Sequence, residues 1–515
     1  MAKPFATVGR NPGDSYDAVV IGAGVGGLVC ATLLARVGLH VLLIEQHYVV
    51  GGYCSTFRRG GYTFDAATHF YPLLGNPDTI TGRLLRDLRV QASWIAMDPV
   101  DRFHLPDGSQ FSVPADYHAY RRLLSDRFPH ATGELDRFFD LVRSAYAAGL
   151  LYYFSSRRTN AFADLESLTL SDVLDRYITD PKLRLLLCAD SAHWGSPASR
   201  TSFVFDSMLR LGYFLGNYYP RGGSQAFVDA LARRFEELGG DILINARVNR
   251  VIVRHNTARG VDVQIGPARM RNSRRIDARA VVSNADLLQT VCELVGVEHF
   301  DRSYVESVRR LRPTLACFLT HIGLRGMPGD VLERAHGYYW RSWDPDGVGR
   351  DALLFKIFVP TLYDPAMAPD GHHVLIVQKL VDVDYAATTD WRAHKAAVEA
   401  EILANLERIM PGITGHITVK LSATAQTSFR YTLNHHGAML GWEMSPHQLG
   451  DGRPAVVSPV RDLYFVGHWT RPGGGITPVM ISAMQAASHI AARHAGTSEE
   501  REMQSLGVSV PAPPC

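Results

Sequence analysis

The chain has 515 residues, a formal net charge of +2 and a hydrophobic fraction of 46%. This length indicates two or three packed units, and the composition is that of an ordinary globular protein. The near balance of charge excludes the basic footprint of a nucleic-acid-binding protein. The six cysteines lie far apart without a CxxC pair, so neither a disulfide framework nor a structural zinc site is indicated.

We expect no signal peptide at the start of the sequence and no membrane-spanning segment within it. Residues 1–15 lack the apolar core of a signal peptide, and no stretch of the chain is apolar enough to span a bilayer. Residues 496–515 are polar and then proline-rich, which predicts a flexible tail. Together with the separated cysteines, these features predict a cytoplasmic protein.

The first predicted elements surround residues 21–27, which read IGAGVGG between a buried strand and a helix. Gly22 allows a sharp turn out of the strand, and Gly24 allows a pyrophosphate to approach the backbone. Gly27 allows the helix to pack close to the sheet. The free N–H groups at the start of this helix favour phosphate binding.

A second predicted strand, residues 40–44, is followed directly by Glu45. A carboxylate at this position accepts hydrogen bonds from ribose hydroxyls and disfavours a 2′-phosphate. Strand, helix, second strand and acidic residue occur in the order of a Rossmann-like unit. The sequence therefore predicts a dinucleotide other than NADP as the primary nucleotide.

The segment after Glu45 resembles the flavin-dependent amine oxidase and phytoene desaturase superfamily. In that superfamily a glycine pair, a Ser/Thr and an Arg follow the acidic residue and line the flavin pyrophosphate and ring. The sequence matches this pattern at Gly51, Gly52, Ser55, Thr56 and Arg58. The resemblance implies FAD as the cofactor.

The next family segment, usually GFxFDxGxH, is matched by residues 61–69, which read GYTFDAATH. Ala67 replaces the family glycine, a change that could tilt the loop nearest the flavin. His69 closes the segment, and we consider it as a group near the flavin ring.

A second predicted flavin-contacting region covers residues 219–286. Ser224 is the expected N-cap of an amphipathic helix that two glycines terminate. A strand containing Val248 follows, and residues 280–286 resemble the family run VVSNAD. The resemblance implies that the backbone of Val248 pairs with the adenine and that Asn284 contacts the cofactor.

The third predicted flavin-contacting region begins with a buried strand over residues 463–467 and ends with a helix over about 479–493. The resemblance implies that the flavin and its ribitol meet a glycine-rich turn and a helix N-terminus, whose dipole stabilises a reduced flavin. The residues involved are Gly467, His468, Gly474, Ile476 and Thr477. Relatives usually carry Asp where this chain has His468, although a neutral imidazole can also bond a hydroxyl.

These segments predict an α/β fold, with a Rossmann-like FAD-binding domain of the GR2 type and an inserted α+β substrate domain. The FAD-binding domain is expected to be discontinuous, over residues 1–75, 215–300 and 445–495. The substrate-binding domain is expected over residues 76–214 and 301–444.

The two inserts are rich in aromatic residues. Asp107-Gly108 predicts a hairpin turn, and residues 138–154 predict an apolar helix. We interpret that helix as part of the core, with a substrate tunnel or peripheral contact with a membrane surface as alternatives. Aromatic clusters within residues 203–219 and 338–343 favour an apolar pocket.

No conventional catalytic constellation stands out in the sequence, and the candidates for groups near the ring are Glu443, Trp442, His69 and Arg471. Burial of Glu443 would raise its pKa and allow it to act as an acid. His435 and His436 are adjacent and would point apart on a regular element, so we expect no metal site.

The resemblance implies hydride transfer between flavin N5 and a long apolar polyene, in desaturation or isomerisation of a carotenoid-type isoprenoid. One alternative is an NAD(P)H-driven reductive cyclase that acts on a polyene tetramate or polyketide in secondary metabolism. Another is a flavin-fold binding protein without turnover. A small-amine oxidase is disfavoured, because the sequence identifies no aromatic cage.

Overall fold

The computed structural model describes residues 7, 12–67, 70–155, 157–266 and 272–494. The sequence predictions for His69 and for the tail, residues 496–515, lie outside these ranges.

The strands form two large sheets and two small ones. Their bounds are β1 (Ser15–Ile21), β2 (Val41–Ile44), β3 (Thr56–Arg59), β4 (Tyr62–Asp65), β5 (Tyr71–Pro72), β6 (Trp94–Ala96), β7 (Asp101–His104), β8 (Gln110–Val113), β9 (Asn217–Pro220), β10 (Asp241–Leu243), β11 (Ala246–Arg254), β12 (Thr257–Ile265), β13 (Asn272–Ser283), β14 (Ala316–Arg325), β15 (Gly337–Trp340), β16 (Leu353–Phe358), β17 (His372–Val381), β18 (Ile417–Ala423) and β19 (Leu463–Phe465).

The α-helices connect and cover these sheets, and residues 290–296 continue the tenth helix as a π-helical turn. Their bounds are α1 (Val25–Arg36), α2 (Ile80–Asp87), α3 (Tyr117–Arg127), α4 (Thr132–Ser155), α5 (Asn160–Leu165), α6 (Leu170–Tyr177), α7 (Pro181–Cys188), α8 (Phe203–Tyr213), α9 (Ser224–Glu237), α10 (Leu287–Gln289), α11 (Arg302–Arg309), α12 (Gly329–Ala335), α13 (Trp391–Ile409), α14 (Ala425–Thr432) and α15 (Ile476–His494).

The first large sheet has the strand order β10–β2–β1–β13–β12–β11, with β19 also paired to β13. The pairs that β1 makes with β2 and β13 are parallel, as is the pair of β13 with β19. Helices α1, α9 and α15 cover one face and bury the apolar side chains of β1 and β2. Strands that are buried on both faces carry nearly continuous apolar runs, which explains the sequence VVI at the end of β1.

The second large sheet has the order β18–β14–β17–β16–β15–β7–β8 and is antiparallel apart from the β15–β7 pair. Side chains along β14 alternate between its two faces. Cys317 and Leu319 point to a core shared with α4, α6 and α7, whereas Ala316 and Phe318 point to a core shared with α12 and α13. The predicted hairpin at Asp107-Gly108 is present and joins β7 to β8.

The predicted core helix has two different halves in the structure. The first half of α4 buries Phe138, Phe139 and Val142 in the core. The second half presents Tyr146 and Leu150 to the large cavity described below. Within the described ranges, every helix falls short of the length or the apolar character that crossing a bilayer requires.

The expected N-cap of α9 is wrong by one residue. Gly223 occupies the N-cap with φ +79°, and Ser224 is the first helical residue. The Ser224 amide donates to Asp65 Oδ1 at 2.8 Å. A buried carboxylate from β4 therefore caps this helix, and sequence proximity could not reveal that partner.

Candidate active site

The turn between β1 and α1 packs too tightly for side chains at two of its glycines. A Cβ at Gly27 would lie 2.0 Å from the Gly22 carbonyl oxygen, and one at Gly26 would lie 2.7 Å from Asn284 Oδ1. Gly24 is the N-cap of α1 and offers no side-chain cap. The amides of the first helical turn therefore remain available to an anion.

Glu45 closes the end of β2 beside this turn. Its Oε2 accepts from the Ala23 amide and its Oε1 from the His47 amide, each at 2.8 Å. Burial raises the pKa of Glu45, while these backbone hydrogen bonds act to lower it. Each carboxylate oxygen keeps a further lone pair that can accept from a ribose hydroxyl.

Asn284 bridges segments that are distant in sequence. Its Nδ2 donates to the Gly22 carbonyl at 3.3 Å, and its Oδ1 lies 2.6 Å from the position of a Cβ on Gly467. Asn284 therefore holds the first turn against the loop that follows β19. Glycine is required at position 467 because that loop also has φ +98° there.

A cavity of about 1390 Å³ opens along this turn and continues to the second large sheet. Every predicted cofactor-binding residue except Gly27 lines it, from Gly22 and Glu45 to Ile476 and Thr477. Gly27 lies behind the turn, in contact with Gly22. The structure thus brings together residues that are more than 400 positions apart in the sequence.

This end of the cavity fits a dinucleotide such as FAD. It combines a helix N-terminus without a side-chain cap, a carboxylate with open lone pairs and backbone that glycines leave bare. Gly26 also lines the cavity and was missed by the sequence analysis. Its direct contact with Gly467 follows only from the folded arrangement.

The other end of the cavity lies on the second large sheet. One cross-strand row forms its floor, with each residue opposite the next on the neighbouring strand. The row runs from β15 to β18 in the order Tyr338, Lys356, Gln378, Leu319 and Ala423, and all five line the cavity. With strands about 4.8 Å apart, this floor extends for roughly 19 Å.

Side chains from α4 and α8 complete the walls at this end. They include Tyr146, Leu150, Phe205 and Tyr213. The predicted apolar pocket is therefore made from both inserts of the sequence. Its walls suit a long apolar ligand, which binds through buried surface area.

A buried polar group at this end was missed by the sequence analysis. Lys356 Nζ donates to Asp101 Oδ1 at 3.1 Å, to Tyr338 OH at 3.2 Å and lies 3.3 Å from His193 Nε2. Although burial acts to raise it, Lys356 and His193 hold the pKa of Asp101 at about 2. Burial, together with the Lys356 ammonium, lowers the pKa of His193. At neutral pH the group contains an ammonium, a carboxylate and a neutral imidazole.

The sequence did contain one signal for this group. Strand β16 reads LLFKIF, in which a lysine interrupts an apolar run that is buried throughout. A lysine in such a strand needs a buried carboxylate partner. Which carboxylate supplies it depends on the pairing of β7 with β15 in the sheet, and the pattern alone does not identify Asp101.

Three of the predicted catalytic side chains do not line the cavity. Glu443 is buried and forms an ion pair with Arg200 at 2.9 Å. Burial raises the pKa of Glu443, and the Arg200 charge acts to lower it. Trp442 packs edge-on against Trp469 with ring centroids 4.6 Å apart, and Arg471 pairs with Asp451 at 3.0 Å. The fourth, His69, lies outside the described residues.

Arg453 ties these residues to the flavin-facing loop. Its guanidinium is buried and donates to the carbonyl oxygens of His468 at 2.8 Å, Trp442 at 3.1 Å and Thr470 at 3.2 Å. Burial lowers the pKa of Arg453 to about 9. The chain from 442 to 444 therefore supports the backbone of the loop that presents His468 to the cavity.

The two adjacent histidines are arranged differently from the expectation. His436 has φ +54°, so the chain turns there and the rings of His435 and His436 stack with centroids 3.8 Å apart. Over the described ranges, no group of three or more His, Cys, Asp or Glu side chains is placed to hold a metal ion.

Residues 25–491 match the family described as flavin containing amine oxidoreductase. The chain belongs to this family, and it is an FAD-dependent oxidoreductase. Among curated proteins, it is 27% identical over 516 residues to the chloroplastic prolycopene isomerase of Daucus carota. That alignment covers 94% of this chain and 82% of the relative. It is 26% identical over 491 residues to the lycopene-forming phytoene desaturase of Pantoea ananas. This second alignment covers 91% of this chain and 97% of the relative.

Solved structures share the same fold at lower identity. A wild-type putrescine oxidase bound to putrescine superposes with a TM-score of 0.64 at 17% identity, over 94% of this chain and 99% of the other. The cyclohexylamine oxidase of Brevibacterium oxydans gives a TM-score of 0.61 at 17% identity, over 95% of this chain and 99% of the other.

Proposed function

We propose that the protein transfers hydride between FAD and a long apolar polyene of the carotenoid type, in desaturation or isomerisation. The observation that carries this proposal is a single cavity that joins the dinucleotide-binding turn to an apolar floor about 19 Å long. The two curated relatives named above are a prolycopene isomerase and a phytoene desaturase, and each aligns over most of this chain.

In this proposal the chain binds FAD through three regions. The first turn of α1 holds the pyrophosphate, and Glu45 accepts the ribose hydroxyls. The residues from Gly51 to Arg58 line the pyrophosphate and the ring, and the backbone of Val248 contacts the adenine. The N-terminus of α15, with Gly474, Ile476 and Thr477, faces the flavin. Bound FAD supplies the hydride acceptor or donor.

The remaining residues position the polyene and exclude water. Leu319 and Ala423 provide the apolar floor, while Tyr146 and Leu150 close the opposite wall. Few polar side chains are needed, since the flavin carries the redox chemistry. We also propose that residues 1–75, 215–300 and 445–495 form the FAD-binding domain, and that 76–214 and 301–444 form the substrate-binding domain.

Lys356 argues against a small amine as the substrate. Its ammonium lies at the cavity wall, and its only carboxylate neighbour in the described ion pairs is Asp101. The pair of Lys356 and Asp101 carries no net charge, so this carboxylate is already compensated and would not hold a cationic amine.

The direct test is anaerobic stopped-flow absorbance of the purified flavoprotein. We would mix it separately with phytoene, with prolycopene and with putrescine, and analyse each product by chromatography. Flavin bleaching by phytoene, or isomerisation of prolycopene without net bleaching of the flavin, is the expected result. Turnover of putrescine alone would overturn the proposal.

The same experiment separates the polyene oxidoreductase from a reductive cyclase. Rapid bleaching by NADH or NADPH, with no reaction of either carotenoid, would favour NAD(P)H-driven reduction of a polyene of another class. Purified protein without bound flavin would instead favour a binding protein without turnover.

We further propose peripheral contact between the mouth of the cavity and a membrane surface, where an apolar substrate would enter. Leu151 is 38% exposed and Leu215 is 43% exposed, and both line the cavity. Co-sedimentation with liposomes should fall in the double variant Leu151→Asp and Leu215→Asp. The control Leu123→Asp changes an equally exposed leucine that does not line the cavity.

A further inference from the structure

A line of aromatic side chains leads from the wall of the cavity towards the protein surface. His468 lines the cavity, and its ring lies 5.0 Å from that of Trp469 between centroids. Trp469 Nε1 donates to Asn434 Oδ1 at 3.2 Å, and Asn434 also lines the cavity. The Trp469 ring then packs edge-on against Trp442 at 4.6 Å. The first indole therefore lies directly behind the wall that faces the dinucleotide.

The line continues outwards through the two adjacent histidines. The Trp442 ring lies 6.5 Å from that of His435, which stacks on His436 at 3.8 Å. His436 stacks in turn on Tyr385, with centroids 5.6 Å apart and an angle of 10° between the ring planes. His436 is exposed, and Tyr385 is partly exposed. Ring contacts of 6.5 Å or less thus connect the cavity wall to solvent.

The surroundings of the two indoles suit the passage of single electrons. Indole and phenol rings are among the side chains that give up one electron most readily. Trp442 and Trp469 are both buried, and among the described residues the Trp442 N–H has no hydrogen-bond acceptor. The Trp469 N–H meets only an amide oxygen, which is a weak base. An oxidised indole at either position therefore keeps its proton and can be reduced again by its neighbour.

The charges along the line favour outward movement of positive charge. The buried Arg453 guanidinium donates to the Trp442 carbonyl at 3.1 Å and disfavours a positive charge that stays on this indole. Burial, together with the neighbouring His436, lowers the pKa of His435 to about 4, so this ring is neutral at working pH and does not repel that charge. Tyr385 reaches solvent, where an oxidised phenol loses its proton and traps the charge.

We propose that Trp469 and Trp442 form an electron relay between bound FAD and the surface at Tyr385. The oxidant is the flavin after it has absorbed light, and the relay moves the resulting positive charge outwards. A reactive charge that stayed at the cavity wall would instead oxidise the bound substrate. This inference goes beyond the proposed function and rests on FAD binding alone.

Each step of the relay moves one electron towards the flavin. Trp469 gives an electron to light-excited FAD, and Trp442 then reduces the oxidised Trp469. Tyr385 reduces Trp442 through the stacked histidines and releases its phenolic proton to water. The net change is one electron gained by the flavin, with one electron and one proton lost by Tyr385. Return of the electron to Tyr385, with a proton from water, restores the starting state.

The test is transient absorption spectroscopy of the FAD-loaded protein after a short pulse of blue light. No substrate is added, so the measurement does not depend on catalytic turnover. In the wild-type protein we expect a signal of oxidised tyrosine that outlasts the signal of oxidised tryptophan. Tyr385→Phe should remove the tyrosine signal and leave oxidised tryptophan in its place. This variant alters a partly exposed side chain, so it tests the relay independently of any change in the core.

Trp442→Phe should interrupt the relay at its centre, because phenylalanine is much harder to oxidise than tryptophan. The tyrosine signal should be lost, since the electron returns to Trp469 before the charge can move outwards. The matched control is Trp340→Phe, a buried tryptophan outside the cavity lining whose Nε1 donates to the Ala189 carbonyl at 3.2 Å. It should keep the wild-type signal.

The flavin content of each variant separates loss of the relay from loss of the cofactor. An undiminished tyrosine signal in flavin-loaded Tyr385→Phe or Trp442→Phe would overturn the relay, as would its absence from flavin-loaded wild type. An intact tyrosine signal without turnover of either carotenoid would overturn the proposed function and leave the relay standing.

Discussion

The two ends of the cavity are built from different kinds of chemical group. The dinucleotide end is mainly backbone, with the bare turn from Gly22 to Gly27 and the N-termini of α1 and α15. The other end is mainly side chain, with a row across four strand boundaries and a buried ion pair. Backbone groups suit the phosphates of a dinucleotide, which are the same in every such cofactor. Side chains can be exchanged by substitution, so the other end of the cavity can be adapted to a particular substrate.

The largest effect should follow from filling the dinucleotide end. A Cβ at Gly24 would lie 2.9 Å from Asn284 Nδ2, in the space that a pyrophosphate would need. We expect Gly24→Val to weaken FAD binding by about 100-fold or more, because overpacking costs roughly 1–3 kcal/mol and phosphate contacts are also lost. The flavin content of the purified protein measures this effect.

The matched control for this substitution is Gly415→Val. No atom lies within 4 Å of a Cβ built at Gly415, and its φ is not positive. This variant should retain full flavin content. Stoichiometric flavin in Gly24→Val would instead contradict the assignment of the turn to the pyrophosphate.

A large effect of a different kind is expected at the substrate end. Asp101→Asn leaves the Lys356 ammonium buried without its carboxylate and should lower the free energy of unfolding by about 3–5 kcal/mol. Thermal unfolding measures it. The exposed pair of Asp330 and Arg334 provides the control, since Asp330→Asn should leave the unfolding temperature nearly unchanged.

The difference in the free energy of unfolding between wild type and Asp101→Asn should depend on pH in a definite direction. The folded pKa of Asp101, about 2, lies below the ordinary unfolded value of about 3.9. Its contribution to stability is therefore present above about pH 4 and is lost as the pH falls towards 2. The gap between wild type and Asp101→Asn should narrow over that window, and a constant gap would argue against the ion pair.

A smaller effect is expected for Glu443→Gln, which tests the loop behind the cavity. The Arg200 partner of Glu443 is 30% exposed and can be solvated when the charge is removed. We expect a loss of about 1–3 kcal/mol in stability and a kcat within roughly twofold of wild type across the working pH range. A change in the pH profile of kcat would show that Glu443 acts as an acid.

The smallest effect is expected at His468, the position where relatives usually carry Asp. Burial, with the nearby Arg453 charge, lowers the pKa of His468 to about 3, so the imidazole is neutral at working pH. Asparagine is also a neutral donor and acceptor, and His468→Asn should change FAD affinity by less than about 10-fold. Titration of the flavin spectrum from pH 5 to 9 should show no transition that depends on His468.

The contrast between the dinucleotide end and the substrate end of the cavity also explains what the sequence could predict. The α/β fold and a bound dinucleotide followed from local order, because the turn and Glu45 are close in sequence, and FAD followed from the resemblance carried by the glycine pair and the residues after it. The partners of Lys356 did not follow, since Asp101 and His193 come from elements 255 and 163 positions away. The sequence analysis stated what burial of Glu443 would do but could not identify its ion pair with Arg200, which spans 243 positions.

The pairing of β19 with β13, and of β13 with β1, has a consequence for how the protein is made. The loop at Gly467 and the start of α15 complete a site whose first turn was synthesised more than 400 residues earlier. The complete FAD site therefore forms only after nearly the whole chain has been synthesised. Since a ligand of the folded state stabilises it by mass action, bound FAD is expected to stabilise the newly completed fold.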